Sequence, residues 1–213
     1  MHALAYRSRS VTVALLAVFS LSQGAMAQET AWTFDAPIGC IDSSPAIADV
    51  DGDGAMDVVV TTTAGSIIAL DGEGRQIWMR GTQIPISIAP TVVDLLGDGR
   101  PEVLALNQAG QLFCLDSLAG DPIWKWNLPG KVEWGMTAIV ARDIDRDGVA
   151  EIVVADDHGT VACLSNDGQV RWTYQGAHGA AYCPAVGNVS GDAADEIVIA
   201  GTKRPLVCLS HTG

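Results

Sequence analysis

Four segments of the chain repeat one pattern, and a repeat of this length narrows the possible folds more than any other feature of the sequence. They begin at Ser44, Ala89, Thr137 and Cys183, and each runs as a short apolar stretch, a polar loop and a second stretch rich in Val and Ile. Their leading polar residues, Asp49, Asp94, Asp143 and Asn188, are spaced by 45, 49 and 45 residues. That period suits a four-stranded propeller blade. The apolar runs are broken by Gly, Asp and Asn and show no helical spacing, so they are read as strands joined by tight turns.

In the first unit strands are expected at Pro45–Asp49, Met56–Thr62, Ser66–Leu70 and Arg75–Arg80. A sheet of this kind cannot bury both faces alone, so neighbours must stack, and a regular period makes radial closure the natural arrangement. The expected fold is all-β: a β-propeller of four-stranded antiparallel blades, about four in number, forming either a whole ring or part of a larger one. The units fall at about 44–80, 89–127, 137–174 and 183–213, after an N-terminal strand at 28–36. Each fourth strand carries a Trp: Trp78, then Trp124 or Trp126, then Trp172, with Trp32 standing 46 residues before Trp78. Residues Ala31–Phe34 therefore read as an orphan fourth strand, expected to pair beside Pro205–Leu209 if the ring closes on itself.

The chemistry is concentrated in the loops between the first and second strands. In the first unit Asp49, Asp51, Asp53 and Asp57 stand at positions 1, 3, 5 and 9, with Gly54 at position 6. Alternate residues of a tight loop turn toward one centre, and the carbonyl of position 7, here Ala55, adds a further oxygen, so a Ca²⁺ site is expected. The third unit repeats the set as Asp143, Asp145, Asp147 and Glu151, with Val149 at position 7. The second keeps Asp94, Asp98 and Glu102 but has Leu96 at position 3, and the fourth has Asn188, Ser190, Asp192 and Glu196. An acidic turn closed by its own side-chain to backbone hydrogen bonds is the competing reading, stronger for the second and fourth loops.

Loops such as Asp49–Asp57 and Asp143–Glu151, recurring between strands, resemble the FG-GAP (VCBS-type) repeats of integrin α-like propellers. The resemblance implies structural Ca²⁺ on one rim and ligand or partner binding elsewhere. The Phe-Gly and Gly-Ala-Pro signatures of that family are absent. A second likeness overlaps it: Cys114, Asp116, Gly120 and Trp124 are similar to the tryptophan-docking motif of quinoprotein-like (PQQ-like) repeats, which locks blade to blade without holding the quinone. Residues Ala69–Trp78 match it with one residue deleted.

Residues 1–27 have Arg7 and Arg9 before an apolar run from Val11 to Leu21 and then Ala25-Met26-Ala27, the pattern of a secretory signal peptide. The expected location is secreted, periplasmic or cell-surface, with no membrane-spanning segment after cleavage. With 12 Lys+Arg against 25 Asp+Glu, the chain lacks the means to neutralise a phosphate backbone, and nucleic acid is excluded as a partner. Cys114, Cys163 and Cys208 recur at one place in three units and read as small buried residues, leaving Cys40 and Cys183 as the candidates for a disulfide. No nucleophile triad, zinc helix or phosphate loop occurs, so no catalytic residue is assigned. The best candidates for ligand contact are Trp134, His178 and Tyr182 in the unit-to-unit connectors, with a protein or carbohydrate as ligand. The reading is a binding or scaffold module. The alternative is the N-terminal part of a larger propeller enzyme, either a quinoprotein-type oxidoreductase or one acting on polysaccharide.

Overall fold

The computed structural model describes residues 29–132, 137–176, 183–201 and 204–213. The described residues of the repeats form four antiparallel sheets. The first contains β1 (Ala46–Ala48), β2 (Asp57–Thr61), β3 (Ser66–Leu70) and β4 (Gln76–Gly81). The second contains β5 (Thr91–Val93), β6 (Glu102–Leu106), β7 (Gln111–Asp116) and β8 (Pro122–Asn127). The third contains β9 (Val140–Arg142), β10 (Glu151–Ala155), β11 (Thr160–Leu164) and β12 (Val170–Gln175). The fourth has three strands among the described residues, β13 (Ala185–Gly187), β14 (Glu196–Gly201) and β15 (Arg204–Leu209). Strands are hydrogen-bonded in chain order within each sheet, so every blade is a simple up-and-down meander. The expected all-β propeller architecture holds, and all four strands of the first unit match their expected positions to within one residue at each end.

In the second and third blades each middle strand is apolar on both faces because each face meets a different neighbour. On β10, Ile152 and Val154 pack with Leu104, Leu106 and Leu112 of the second blade. Val153 and Ala155 of the same strand pack with Ile197 and Ile199 of the fourth. The first and second blades meet through Val59, Ile67 and Ala69 against Val103, Ala105 and Leu115. The period of two is thus hidden inside continuous apolar runs, as it must be for a strand buried on both sides.

The blades are locked by one repeated contact. Trp78 Nε1 donates to the Ser117 carbonyl at 2.6 Å, Trp124 Nε1 to the Asn166 carbonyl at 3.0 Å, and Trp172 Nε1 to the His211 carbonyl at 2.7 Å. Each acceptor lies in a β3–β4-type turn, and the indole lies on that turn's glycine: Gly120, Gly168 or Gly213. A Cβ on these glycines would stand 2.6 to 2.9 Å from the ring, and all three have positive φ, so side chain and backbone angle both demand glycine. Trp124, rather than Trp126, is therefore the docking residue of the second blade.

Two expectations are corrected, and one open pairing is settled. Residues Ala31–Phe34 do not form a strand beside β15. Instead Trp32 docks on the first blade as the others dock on theirs, its Nε1 3.0 Å from the Gly72 carbonyl and its ring against Gly74. Phe34 and Ala36 then cover Val60, Ile68 and Leu70, on the face of the first sheet opposite the second blade. Cys114 and Cys163 are buried, and burial pushes both thiols up to about 12. Cys208 is exposed, because no described strand lies outside β15 to cover it. No disulfide joins Cys40 and Cys183, which lie on the surface.

Trp78 is 6% exposed, whereas Trp32 is 37% exposed. Trp78→Ala should cost about 3–5 kcal/mol as a buried large-to-small change. Trp32→Ala should cost less than half of that in the same denaturant titration. Equal losses would mean that docking is not what holds neighbouring blades.

Candidate metal centre and binding cleft

The loops joining the first and second strand of each blade are organised by their own carboxylates. At position 1, Asp49 accepts hydrogen bonds from the Gly52 and Gly54 amides at 2.8 and 3.0 Å. Asp94 takes the same role toward Gly97 and Gly99, and Asp143 toward Asp147 and Gly148. At position 5, Asp53, Asp98 and Asp147 each accept from the amide two residues on. These bonds draw the loop into a tight coil, and the positive φ of Gly54, Gly99 and Gly148 permits the turn.

Position 9 has a different task. Asp57 Oδ2 accepts from the Val50 amide at 2.9 Å, Glu102 Oε2 from Leu95 at 2.9 Å, and Glu151 Oε2 from Ile144 at 3.0 Å. Glu196 does the same for Val189 and Ser190. Asp57, Glu102 and Glu151 are buried, and loss of water raises the pKa of each carboxyl despite the amide bonds. Glu196 is instead held below the ordinary carboxylate range by the Ser190 and Val189 amides. The position 9 residue is a clasp that satisfies the backbone where the chain leaves the inner strand.

The structure gathers positions 1, 3 and 5 in two loops. Oxygens of Asp49, Asp51 and Asp53 lie within 4.8 Å of one another, as do those of Asp143, Asp145 and Asp147. Among the described residues these are the two clusters of this kind. Asp57 and Glu151 stand outside them, engaged with the backbone. In the second loop Asp94, Asp98 and Glu102 do not converge; Leu96 points to solvent and Asp98 pairs with Arg100 at 3.2 Å. Three carboxylates around one centre form the all-oxygen, anionic donor set that suits Ca²⁺, and nothing in either cluster suits a softer ion.

The opposite rim holds the β2–β3-type turns and the connectors between blades. A cleft of about 480 Å³ is lined by Pro129, Gly130, Lys131, Asp157 and His158. A second of about 210 Å³ adjoins it through Lys131 and is lined by Ile84, Gln108 and Ala109. Behind the first lies Asp156, fully buried, with Oδ1 accepting from the His158 and Thr160 amides and Oδ2 without a hydrogen-bond partner. In the second blade Asn107 holds the same place, and its amide nitrogen donates to Gln111 Oε1 at 2.9 Å. Trp134, His178 and Tyr182 lie outside the described residues. Lys131 opens one of the connectors expected to contact ligand, whereas nothing in their hairpin turn marks Asp157 and His158 before the turn and the connector are brought together.

Residues 117–213 match the family model of the lambda-carrageenase beta-propeller domain. Among solved structures, BamB from Moraxella catarrhalis aligns with a TM-score of 0.58 at 18% identity, over 82% of this chain and 48% of that one. The computationally designed protein Ika4 aligns at 0.62 and 13% identity, over 86% of this chain and 98% of its own. BBS1N, solved in complex with ARL6DN, aligns at 0.59 and 16% identity, over 81% of this chain and 51% of that one. This chain thus spans about half the length of the BamB and BBS1N chains. A search of curated proteins finds no match. Fold, docking contacts and comparisons agree that residues 31–213 are a β-propeller repeat domain.

Proposed function

We propose that this chain is an exported, Ca²⁺-stabilised propeller module that binds carbohydrate or protein through its connector rim and performs no catalysis of its own. The observation that carries the metal half is the convergence of three carboxylates in the first and third loops. The likeness of those loops to FG-GAP repeats supports it. A bound Ca²⁺ would tie both ends of the loop to its middle and offset the repulsion of the clustered charges. The connector rim supports the binding half, since it offers a cleft with a cation, a carboxylate and an imidazole on its wall, while the other rim is consumed by loops and docking turns. Carbohydrate is the first ligand to try, because nearly half the chain matches the propeller of an enzyme named for carrageenan. A protein ligand is the second, because BBS1N carries a similar fold in a complex with ARL6DN. The signal-like segment at 1–27 supports delivery to the cell surface, periplasm or medium. The carrageenase likeness, together with the half-length coverage of BamB and BBS1N, also favours a second reading in which these blades are part of a larger polysaccharide-acting protein.

Two experiments test the proposal. With a site affinity of 10⁻⁴ to 10⁻³ M, ~1 mM Ca²⁺ should stabilise the chain by roughly 0.4 to 1.4 kcal/mol. Asp53→Ala should remove part or all of that gain while costing the metal-free chain less than Asp57→Ala does, since the Ala55 amide it releases is exposed to water. Asp57→Ala should lower the metal-free stability by about 1–3 kcal/mol, since it strands the buried Val50 amide. A melt indifferent to both Ca²⁺ and EDTA rejects the metal reading. For the binding half, affinity electrophoresis through gels containing carrageenans should retard the protein, and Lys131→Ala with His158→Ala should restore free migration. Retardation untouched by the double variant would move the ligand site off this cleft.

A further inference from the structure

The two carboxylate clusters differ in what surrounds them. Around the first loop the carboxylates of Asp49, Asp51, Asp53 and Asp57 form no ion pair among the described residues. Into the third loop reaches Arg171 of β12, its Nη2 2.6 Å from Asp145 Oδ2 and its Nη1 bonded to Glu151 Oε1. Two more arginines flank that loop. Arg142 Nε lies 2.5 Å from Asp195 Oδ2 and Arg146 Nη2 lies 3.4 Å from Asp195 Oδ1, on a carboxylate that is 1% exposed and comes from the neighbouring blade. The loop accepts backbone strain to allow this. Position 4 is Gly52, Gly97 and Gly191 in the other loops, at φ of 80°, 72° and 84°, but in the third loop Arg146 takes the same left-handed conformation at 63°.

We infer that Arg171 is the resident cation of the third loop, so that the first loop alone takes Ca²⁺ and the third is a metal-independent clasp between the third and fourth blades. The inference rests on the calcium reading above and divides its two sites. Arg171 occupies one of the three converging carboxylates together with the clasp residue. A divalent ion taking Asp145 Oδ2 must displace a guanidinium that bridges two carboxylates, Asp145 and Glu151, one from each Nη. Arg171 is held in place by its neighbour in the chain, since Trp172 docks on the His211 carbonyl and Gly213. Register shows why the first loop escapes. Trp78 pairs across from Ala69 as Trp172 pairs across from Cys163, so the residue in the place of Arg171 is Ile77, an uncharged side chain packed on the core.

Calorimetric titration of the purified chain with CaCl₂ tests the assignment. The unmodified chain should bind one ion, Asp53→Ala should abolish the heat, and Asp147→Ala should leave it intact. Arg171→Met should expose the third cluster and raise the stoichiometry to two, with the affinity of the new site up about tenfold or more, the scale expected when a competing charge is removed at ion-pair distance. Should that variant fold poorly, Ile77→Arg supplies the converse: it should plant the guanidinium beside the first loop and lose the ion. Two ions in the unmodified chain, or a single ion lost with Asp147→Ala and kept with Asp53→Ala, overturns the assignment while leaving calcium binding in place. No heat from either the unmodified chain or Arg171→Met overturns both.

Discussion

Everything else in this fold depends on the indole of one blade resting on the glycine turn of the next. A four-stranded meander buried on both faces gains little until its neighbours arrive, and apolar packing alone does not fix how two twisted sheets are rotated against each other. The Trp contact supplies that direction. Its Nε1 has a single acceptor, a carbonyl 39 residues away for Trp78, and its ring needs a backbone without a Cβ beneath it. Because the contact links an outer strand to an outer turn, it sets the angle between blades at their periphery, where a small rotation is most damped. It also fixes the rims: docking turns and carboxylate loops share one edge, connectors and β2–β3-type turns the other.

The carboxylate loops then serve two masters. Positions 1, 5 and 9 are spent on backbone amides, which draw each loop into its coil. The burden falls on position 9, where Asp57, Glu102 and Glu151 are buried and their charge is opposed by desolvation. In the third loop Arg171 shares that burden at Glu151 and also pairs with Asp145, whose carboxyl it holds below the usual range. A single carboxylate pattern is thus completed in different ways by what lies across the blade, and ligand count along the chain does not distinguish them.

Much of the architecture was legible because it depends on short-range pattern. Strand positions, hairpin turns and the docking role of Trp follow from runs, glycines and a fixed period. What the sequence concealed depends on residues far apart in the chain. Arg171 lies 26 residues from Asp145, so the third loop reads as the twin of the first although a guanidinium bridges two of its carboxylates. Position 9 reads as a ligand because the metal pattern and the clasp pattern use the same residue type. Cys208 repeats the place of Cys114 and Cys163, yet its burial depends on a strand outside β15 rather than on anything within its own repeat. The cleft around Lys131 combines a connector with the turn of the next blade, and neither segment is distinctive alone.

The N-terminal segment shows that docking and strand pairing are separable. Its residues keep the side-chain order of a fourth strand, which suggests pairing with β15 only if that order is a single signal. It is two. Trp32 needs only a glycine turn with a free carbonyl, which the Gly72–Gly74 stretch offers at once, and Phe34 needs only an apolar face, which Val60, Ile68 and Leu70 present. Pairing needs a strand edge in register on another blade, a far more demanding condition. The local contacts are met on the first blade alone, so the segment is held there by its side chains while its backbone joins no sheet, and the same logic explains why the Trp survives at 46 residues before Trp78 where the strand around it does not.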